Sequence, residues 1–439
     1  MNINPALFGK PLILVSAPVS TRSGYGDSAR DFVHHLLALG KYDVKIWPTS
    51  WGMTPTNALN SENEKDRKII ACILTNPNLP KQPDVYITIT VPNEFQPIGK
   101  YNIGYTAGIE TTQASAPWLE GCNRMDLILA TSNHSKLVLE TTSYDVKDNM
   151  GVNKGQLKVT KPIEVMHNCI DPTIYKRIVD EKDIPEAIKT LFNGIPETFG
   201  FLFVGHWLQG ELGQDRKDVG MLVKIFLETF KNEAPHKQPC LILKTSGGNF
   251  SILDREEILN KLNAIKKSVA GDHLPNVYLV HGDFTEPEMN GLMNHKKVKA
   301  HISLTKGEGF GMPLLQATMS MKPVIASGWS GQLDFLNPED AILIGGKLAP
   351  VHASAIWKDV IDEGSQWFTA DYNMASTAMQ AMFKEYDKFI PGAKKLMRAN
   401  REKFSYEALE KRLEELFAKY VPAIPVELPL ALPSLRKIT

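Results

Sequence analysis

Short apolar runs rich in β-branched and aromatic residues alternate with stretches of helical spacing along most of the chain. That alternation predicts an α/β protein built on parallel sheets. In the first half the runs predict strands at 12–16, 44–47, 85–91, 102–105, 127–131 and 163–166. Between the first two, Ala29, Phe32, Val33, Leu36 and Leu37 recur on one helix face, with Asp27 or Ser28 placed to cap its start. A second series opens near Gly200, with strands predicted at 201–204, 241–244, 277–280, 301–304, 324–326 and 342–344. Its first helix, 218–230, sets Val219, Leu222, Ile225, Phe226 and Phe230 on one side. Near the end Ser405 caps a helix with Glu407 in its first turn, followed by an apolar stripe of Leu409, Leu413, Leu416, Phe417 and Tyr420. Prolines 422, 425, 429 and 433 predict an extended tail.

A chain of 439 residues is too long for one ordinary core. Two Rossmann-like units joined around 168–193 are the economical reading: an N-terminal domain over 1–168 and a C-terminal domain over 169–399. With 43% hydrophobic and 22% charged residues the composition is that of a soluble globular protein. No apolar run nears the roughly 20 residues of a bilayer span, and the N-terminus lacks the flanks of a signal peptide. The expectation is a cytoplasmic protein without membrane insertion. Cys72, Cys122, Cys169 and Cys240 are scattered, which suggests neither a disulfide framework nor a zinc site. Basic and acidic residues balance at 49 each, so no overall field draws nucleic acid.

The informative segment is 304–336. A strand end is followed by Thr305, Lys306, Gly307, Glu308, Gly309, Phe310 and Gly311, and a helix opens at Met312-Pro313. Three glycines let backbone approach a ligand, and the amides of the new helix face an anion. Glycine spacing alone would support only a generic βαβ turn. A carboxylate inside such a loop is a poor partner for phosphate, so Glu308 calls for another part of the ligand, and a sugar hydroxyl is the candidate. A second glycine-bearing loop, Gly328-Trp329-Ser330-Gly331, follows the next strand.

These residues resemble the E-x7-E region of retaining glycosyltransferases of the GT-B fold, family 4. The pattern stands here as Glu308-Gly309-Phe310-Gly311-Met312-Pro313-Leu314-Leu315-Gln316-Ala317, then Lys322-Pro323-Val324-Ile325-Ala326. The resemblance implies an α/β GT-B fold, two Rossmann-like domains facing across a cleft. It also implies that the last helix, about 400–420, crosses back to the N-terminal domain, leaving 421–439 as a proline-rich tail. Its donor would be a nucleoside-diphosphate sugar, UDP- or GDP-linked, bound at His206, Lys244, Thr305, Gly307, Gly309, Phe310, Gly311, Met312 and Gln316. Gln316 departs from the family, which has a second glutamate there for the nucleotide ribose; an amide can accept one hydrogen bond and donate others. Lys217 matches the lysine that neutralises the donor diphosphate, while the partner arginine is Arg216 or its role is lost at His206. His281 is expected to be a structural loop histidine.

In the N-terminal half, Gly24, Tyr25 and Gly26 form a glycine loop after the first strand, which in such enzymes lies against the donor. Glu110, in the polar loop 104–112, is a candidate for contacting acceptor or sugar, with a plain surface loop as the alternative. Asn133-His134 is similarly placed at the next strand end. The loops 23–26, 103–112 and 328–336 together are also similar to glycosyltransferases encoded by tailed bacteriophages. That would set the protein in the host cytoplasm, with a modified DNA base or a glycan as acceptor. No D-x-D motif stands in the chain, so the implied mechanism uses no metal and no cofactor beyond the nucleotide sugar. A dinucleotide-dependent oxidoreductase is disfavoured, because G-x-G-x-x-G spacing fails after Gly26. A non-catalytic nucleotide-sugar-binding protein is the alternative that Gln316 keeps open.

Overall fold

The computed structural model describes residues 9–76, 78–79 and 81–424. The part of the expected tail at 425–439 lies outside the described residues. The first sheet comprises β1 (Leu12–Ala17), β2 (Asp43–Pro48), β3 (Val85–Ile89), β4 (Tyr101–Thr106), β5 (Leu127–Ala130) and β8 (Ile163–Val165). Its order is β2-β1-β3-β4-β5-β8, and every pairing is parallel. A small antiparallel hairpin, β6 (Tyr144–Lys147) and β7 (Asn153–Leu157), stands before the last strand. The second sheet comprises β9 (Gly200–Val204), β10 (Cys240–Lys244), β11 (Val277–Val280), β12 (Val298–Ser303), β13 (Val324–Ser327) and β14 (Ile342–Ile344). It is also all parallel, in the order β11-β10-β9-β12-β13-β14. A second hairpin, β15 (Gly346–Pro350) and β16 (Gln366–Ala370), follows it.

All twelve expected strands are present, with ends shifted by at most a few residues. The reason is burial on both faces. Every residue of β3 and of β10 is buried, so these strands read as continuous apolar runs. Each sheet separates two apolar layers. Ile13, Val15, Phe32 and Ile87 belong to one side of the first sheet, and Leu14, Phe95, Trp118 and Ile128 to the other. The helix Tyr406–Tyr420, capped by Ser405, places Leu409, Leu413, Leu416 and Phe417 in the first of these layers. Burial of each such side chain contributes roughly 1.5–3 kcal/mol. Glu164 beside β5 fastens the same helix through Arg412 at 3.0 Å and Lys419 at 2.9 Å. No helix of the described residues is long and apolar enough to cross a membrane.

One local expectation is corrected. The first helix runs Gly24–Leu39 and is capped by Ser23, whose side chain accepts from Gly26 N, not by Asp27 or Ser28. Gly24, Tyr25 and Gly26 therefore form the first helical turn, not a loop before it. Gly26 is required there because a Cβ would lie 2.2 Å from the Thr21 carbonyl oxygen.

Candidate active site in the cleft

In an open parallel sheet, ligands bind beyond the carboxyl ends of the strands where the strand order reverses. In the second sheet that point lies between β9 and β12. The loop after β9 supplies His206, Arg216 and Lys217, and the loop after β12 supplies Thr305 to Gly311. The two loops are tied together by Lys306 N donating to the Arg216 carbonyl at 2.8 Å. Thr305 Oγ1 donates to the Gly307 carbonyl at 3.0 Å and fixes the turn.

Four charged side chains converge here. Glu308 Oε1 accepts from Lys217 Nζ, and its other oxygen lies 3.5 Å from Arg216 Nη1. The same Arg216 nitrogen is 3.1 Å from Glu110 Oε1, on the loop after β4. Burial pushes the Glu308 carboxyl up, but Lys217 and then Arg216 outweigh it and hold it below its ordinary value. Glu308 N donates to Ser330 Oγ at 2.9 Å, and Ser330 Oγ donates to Gln332 at 3.0 Å. The second glycine-bearing loop thus pins the backbone at Glu308, although its sequence showed only the glycines. His206 is pushed down to about 4, first by burial and then by Lys217, Arg216 and Lys244. It is a neutral imidazole near pH 7, paired with Ser246 Oγ at 3.0 Å. The second cation of the cluster is accordingly Arg216.

Behind the cluster, Lys306 Nζ lies 3.5 Å from Asp218 Oδ2, with both side chains almost fully buried. Asp218 also accepts from Tyr372 OH at 2.8 Å and holds a left-handed backbone angle, φ 53°. Sequence reading missed this pair, because a lone lysine in a loop carries no signal of burial.

The loop glycines serve a purpose other than the expected one. A Cβ on Gly307 would sit 1.9 Å from the Glu110 carbonyl oxygen, and one on Gly309 1.9 Å from that of Ala107. Gly307 and Gly309 let the two halves of the molecule meet backbone to backbone; they do not line an open ligand surface. Gly311, at φ 97°, turns the chain into the helix Met312–Thr318. That helix has only 7 residues, so its dipole is weak and the cations carry most of the positive charge. Phe310 is also turned away, packed against Phe335, Phe404 and His167.

From the N-terminal side, Tyr25 OH accepts from Ala107 N at 3.1 Å and pairs with Thr106 Oγ1 at 3.0 Å. Burial pushes its phenol up to about 12. Tyr25 thus holds the loop that Gly309 touches, and Gly24 is open to solvent beside it. Asn133 donates to both oxygens of Asp334, which also pairs with His167 at 3.0 Å, so this strand end fastens the halves together. Lys244 donates to the Gly282 carbonyl at 2.7 Å between the rings of Phe250 and Phe284, and burial lowers it to about 8. His281 pairs with Asp254 at 2.7 Å in a loop-holding role.

Met312 and Gln316 line a small polar cavity, about 80 Å³, with Asp27, Asp31, Asp171 and Glu286. Burial first, and then neighbouring carboxylates, push Asp31 and Glu286 each up to about 7. A glutamate at position 316 would add a further negative charge to that wall, and an amide does not. Among the described residues, no group of three or more His, Cys, Asp or Glu is placed to hold a metal ion.

No protein-family model matches the chain, and no curated protein matches it in sequence. Solved structures do match. The sucrose-phosphate synthase of Thermosynechococcus elongatus aligns with a TM-score of 0.60 at 13% identity, over 93% of this chain and 98% of that one. The E. coli trehalose-6-phosphate structure bound with UDP-2-fluoro glucose gives 0.58 at 11% identity, over 94% and 100%. HepE of Anabaena in complex with UDP-glucose gives 0.57 at 12% identity, over 93% and 99%. The architecture they share with this chain, two parallel Rossmann-like sheets facing a cleft, is the GT-B fold.

Proposed function

We propose that this chain is a retaining, metal-independent glycosyltransferase that moves a sugar from a nucleoside-diphosphate sugar, UDP- or GDP-linked, to an acceptor hydroxyl. The observation that carries the reading is the charged cluster of buried Lys217 and Glu308 with half-buried Arg216 and Glu110 at the strand-order reversal of the second sheet. Its two cations are held ready by two carboxylates, which spares Lys217 in particular an uncompensated desolvation before the ligand arrives. A donor diphosphate would draw on the same cations, and as the sugar–phosphate bond breaks they would stabilise the charge growing on the leaving group. Glu308 would then be released toward the sugar hydroxyls. The acceptor hydroxyl would attack from the leaving-group side, keeping the anomeric configuration. UDP-glucose is bound by HepE, and UDP-2-fluoro glucose by the E. coli protein, on this same fold.

The decisive experiment is a thermal-shift panel of UDP-, GDP- and ADP-sugars, followed by an assay for released nucleotide. We expect one nucleotide series to raise the melting temperature and to be turned over. Lys217→Ala and Glu308→Ala should each lower turnover by on the order of 10²–10³. Unchanged sugar transfer in both variants would remove the site assignment. Gln316 favours a second reading, a non-catalytic binder of nucleotide sugars; stabilisation by the donor with no nucleotide released would establish it.

A further inference from the structure

The largest cavity beside the charged cluster is about 590 Å³ and has Glu110 and Arg216 in its wall. That volume suits a small organic ligand. Four of the chain's seven tryptophans line it: Trp51, Trp118, Trp357 and Trp367. Trp118 and Trp367 are buried and form its floor, whereas Trp357 is 55% exposed and Trp51 partly so. The two accessible rings come from different halves of the molecule. Trp51 is stacked on Tyr25 with ring centroids 4.0 Å apart, which holds one of its faces in place. Trp357 sits on the loop 351–365, between β15 and β16.

That loop belongs to the second half by sequence but is docked on the first. Val360 packs into the apolar layer containing Phe95 and Trp118. Ser115 Oγ donates to the Asp359 carbonyl at 3.2 Å, and Thr112 N to that of Gln366 at 2.8 Å. The cavity is therefore walled by both halves and is incomplete without the hairpin.

Its chemistry selects an occupant. The charged groups in its wall are Glu94, Glu110 and Arg216, a formal balance of −1, and Arg216 is already engaged by Glu110 and Glu308. A nucleic acid needs a row of cations tracking its phosphates, and this wall offers a single one, Arg216. Flat rings with carboxylates at their edge suit a hydroxylated, uncharged ring, whose C–H face lies on the indole while its hydroxyls donate to carboxylate oxygens. Given the sugar transfer proposed above, we propose that this cavity is the acceptor subsite, that it takes a neutral sugar ring laid against Trp51 and Trp357, and that loop 351–365 sets which sugar is accepted.

The test is saturation-transfer NMR on the full chain in the presence of UDP. The probes are neutral trisaccharides of glucose, mannose and galactose, and a single-stranded oligonucleotide carrying hydroxymethylcytosine. The expected result is transfer to the ring protons of at least one trisaccharide and none to the oligonucleotide. Trp357→Ala and Trp51→Ala should each weaken that saccharide by about tenfold, and Trp357 is exposed enough that its loss leaves the fold intact. Absence of any saccharide signal overturns the proposal, whether or not the oligonucleotide binds, and so does unchanged saccharide affinity in both variants. Donor binding is read separately on the unaltered protein with UDP- and GDP-glucose. Failure of that arm alone would count against sugar transfer, while the saccharide arm still reads the cavity.

Discussion

The two halves of the molecule present opposite kinds of surface to one cleft. From the second sheet come fixed charges, Arg216, Lys217 and Glu308, with a further buried pair, Lys306 and Asp218, behind them. From the first sheet come aromatic rings, Tyr25 and Trp51, a stretch of bare backbone at 107–110, and one carboxylate, Glu110. Charges kept out of water must be paired and rigidly held, so the second half pairs them with one another and pins the backbone that carries Glu308 through Thr305, Ser330 and Gln332. Stacking surfaces need only shape and can be assembled from distant loops. One half is built for electrostatic precision and the other for adaptable contact.

This contrast can be broken at three points. The largest effect is expected at the buried pair. Lys306→Ala leaves Asp218, whose carboxyl burial pushes up to about 7, without its cation in the interior, and should cost about 3–5 kcal/mol in urea unfolding at pH 8, where that carboxyl is ionised. A loss below about 1 kcal/mol would mean that the second half does not depend on its buried charge. Next comes the seam between the halves. Gly309→Ala places a methyl against the Ala107 carbonyl, and the displaced loop should lower sugar transfer by on the order of 10². Wild-type transfer rates in that variant would show that the backbone contact is dispensable. The third point concerns pH. The folded protein keeps a proton on Asp31 up to about 7, whereas the unfolded chain gives it up near pH ~4. Stability from this group is therefore full below pH ~4 and is lost as pH rises toward 7. Asp31→Asn should match the wild-type melting temperature at pH 4 and exceed it at pH 8. Parallel melting curves across that range would show that Asp31 titrates normally.

Much of the fold was legible because sheet strands buried on both faces announce themselves as apolar runs. The two hairpins were not. β7 is Asn-Lys-Gly-Gln-Leu with four exposed residues, and β15 is nearly as exposed, so neither leaves a pattern to read. Within the site, Glu308 was legible because a carboxylate in a glycine loop is chemically odd, and Lys217 because it matched the family's diphosphate lysine. Gly307 and Gly309 were read for the right property, close approach, but toward the wrong neighbour, since the approaching Ala107–Glu110 backbone is some 200 residues away in sequence. Gly24 and Gly26 were read as a loop because the cap strength of Ser23 was passed over in favour of Asp27 and Ser28. The environment of Gln316 needs Asp27, Asp31, Asp171 and Glu286 to be brought together, and no local pattern does that. Nor does any local pattern mark Trp51 and Trp357, which lie in loops of mixed composition far apart in sequence.

The helix Tyr406–Tyr420 gives the nascent chain an unusual timetable. Its leucines complete the apolar layer against Ile13 and Val15, so β1 waits for a partner made roughly 400 residues later. At about 5–20 residues per second that wait lasts on the order of 20–80 s. The second sheet waits less: its strands lie between Gly200 and Ile344, and the residues that close its layers, Met379, Met382, Leu396 and Phe404, follow directly. During translation the first sheet therefore has all of its strands long before one of its faces is covered, and that face stays open to chaperones through most of the interval.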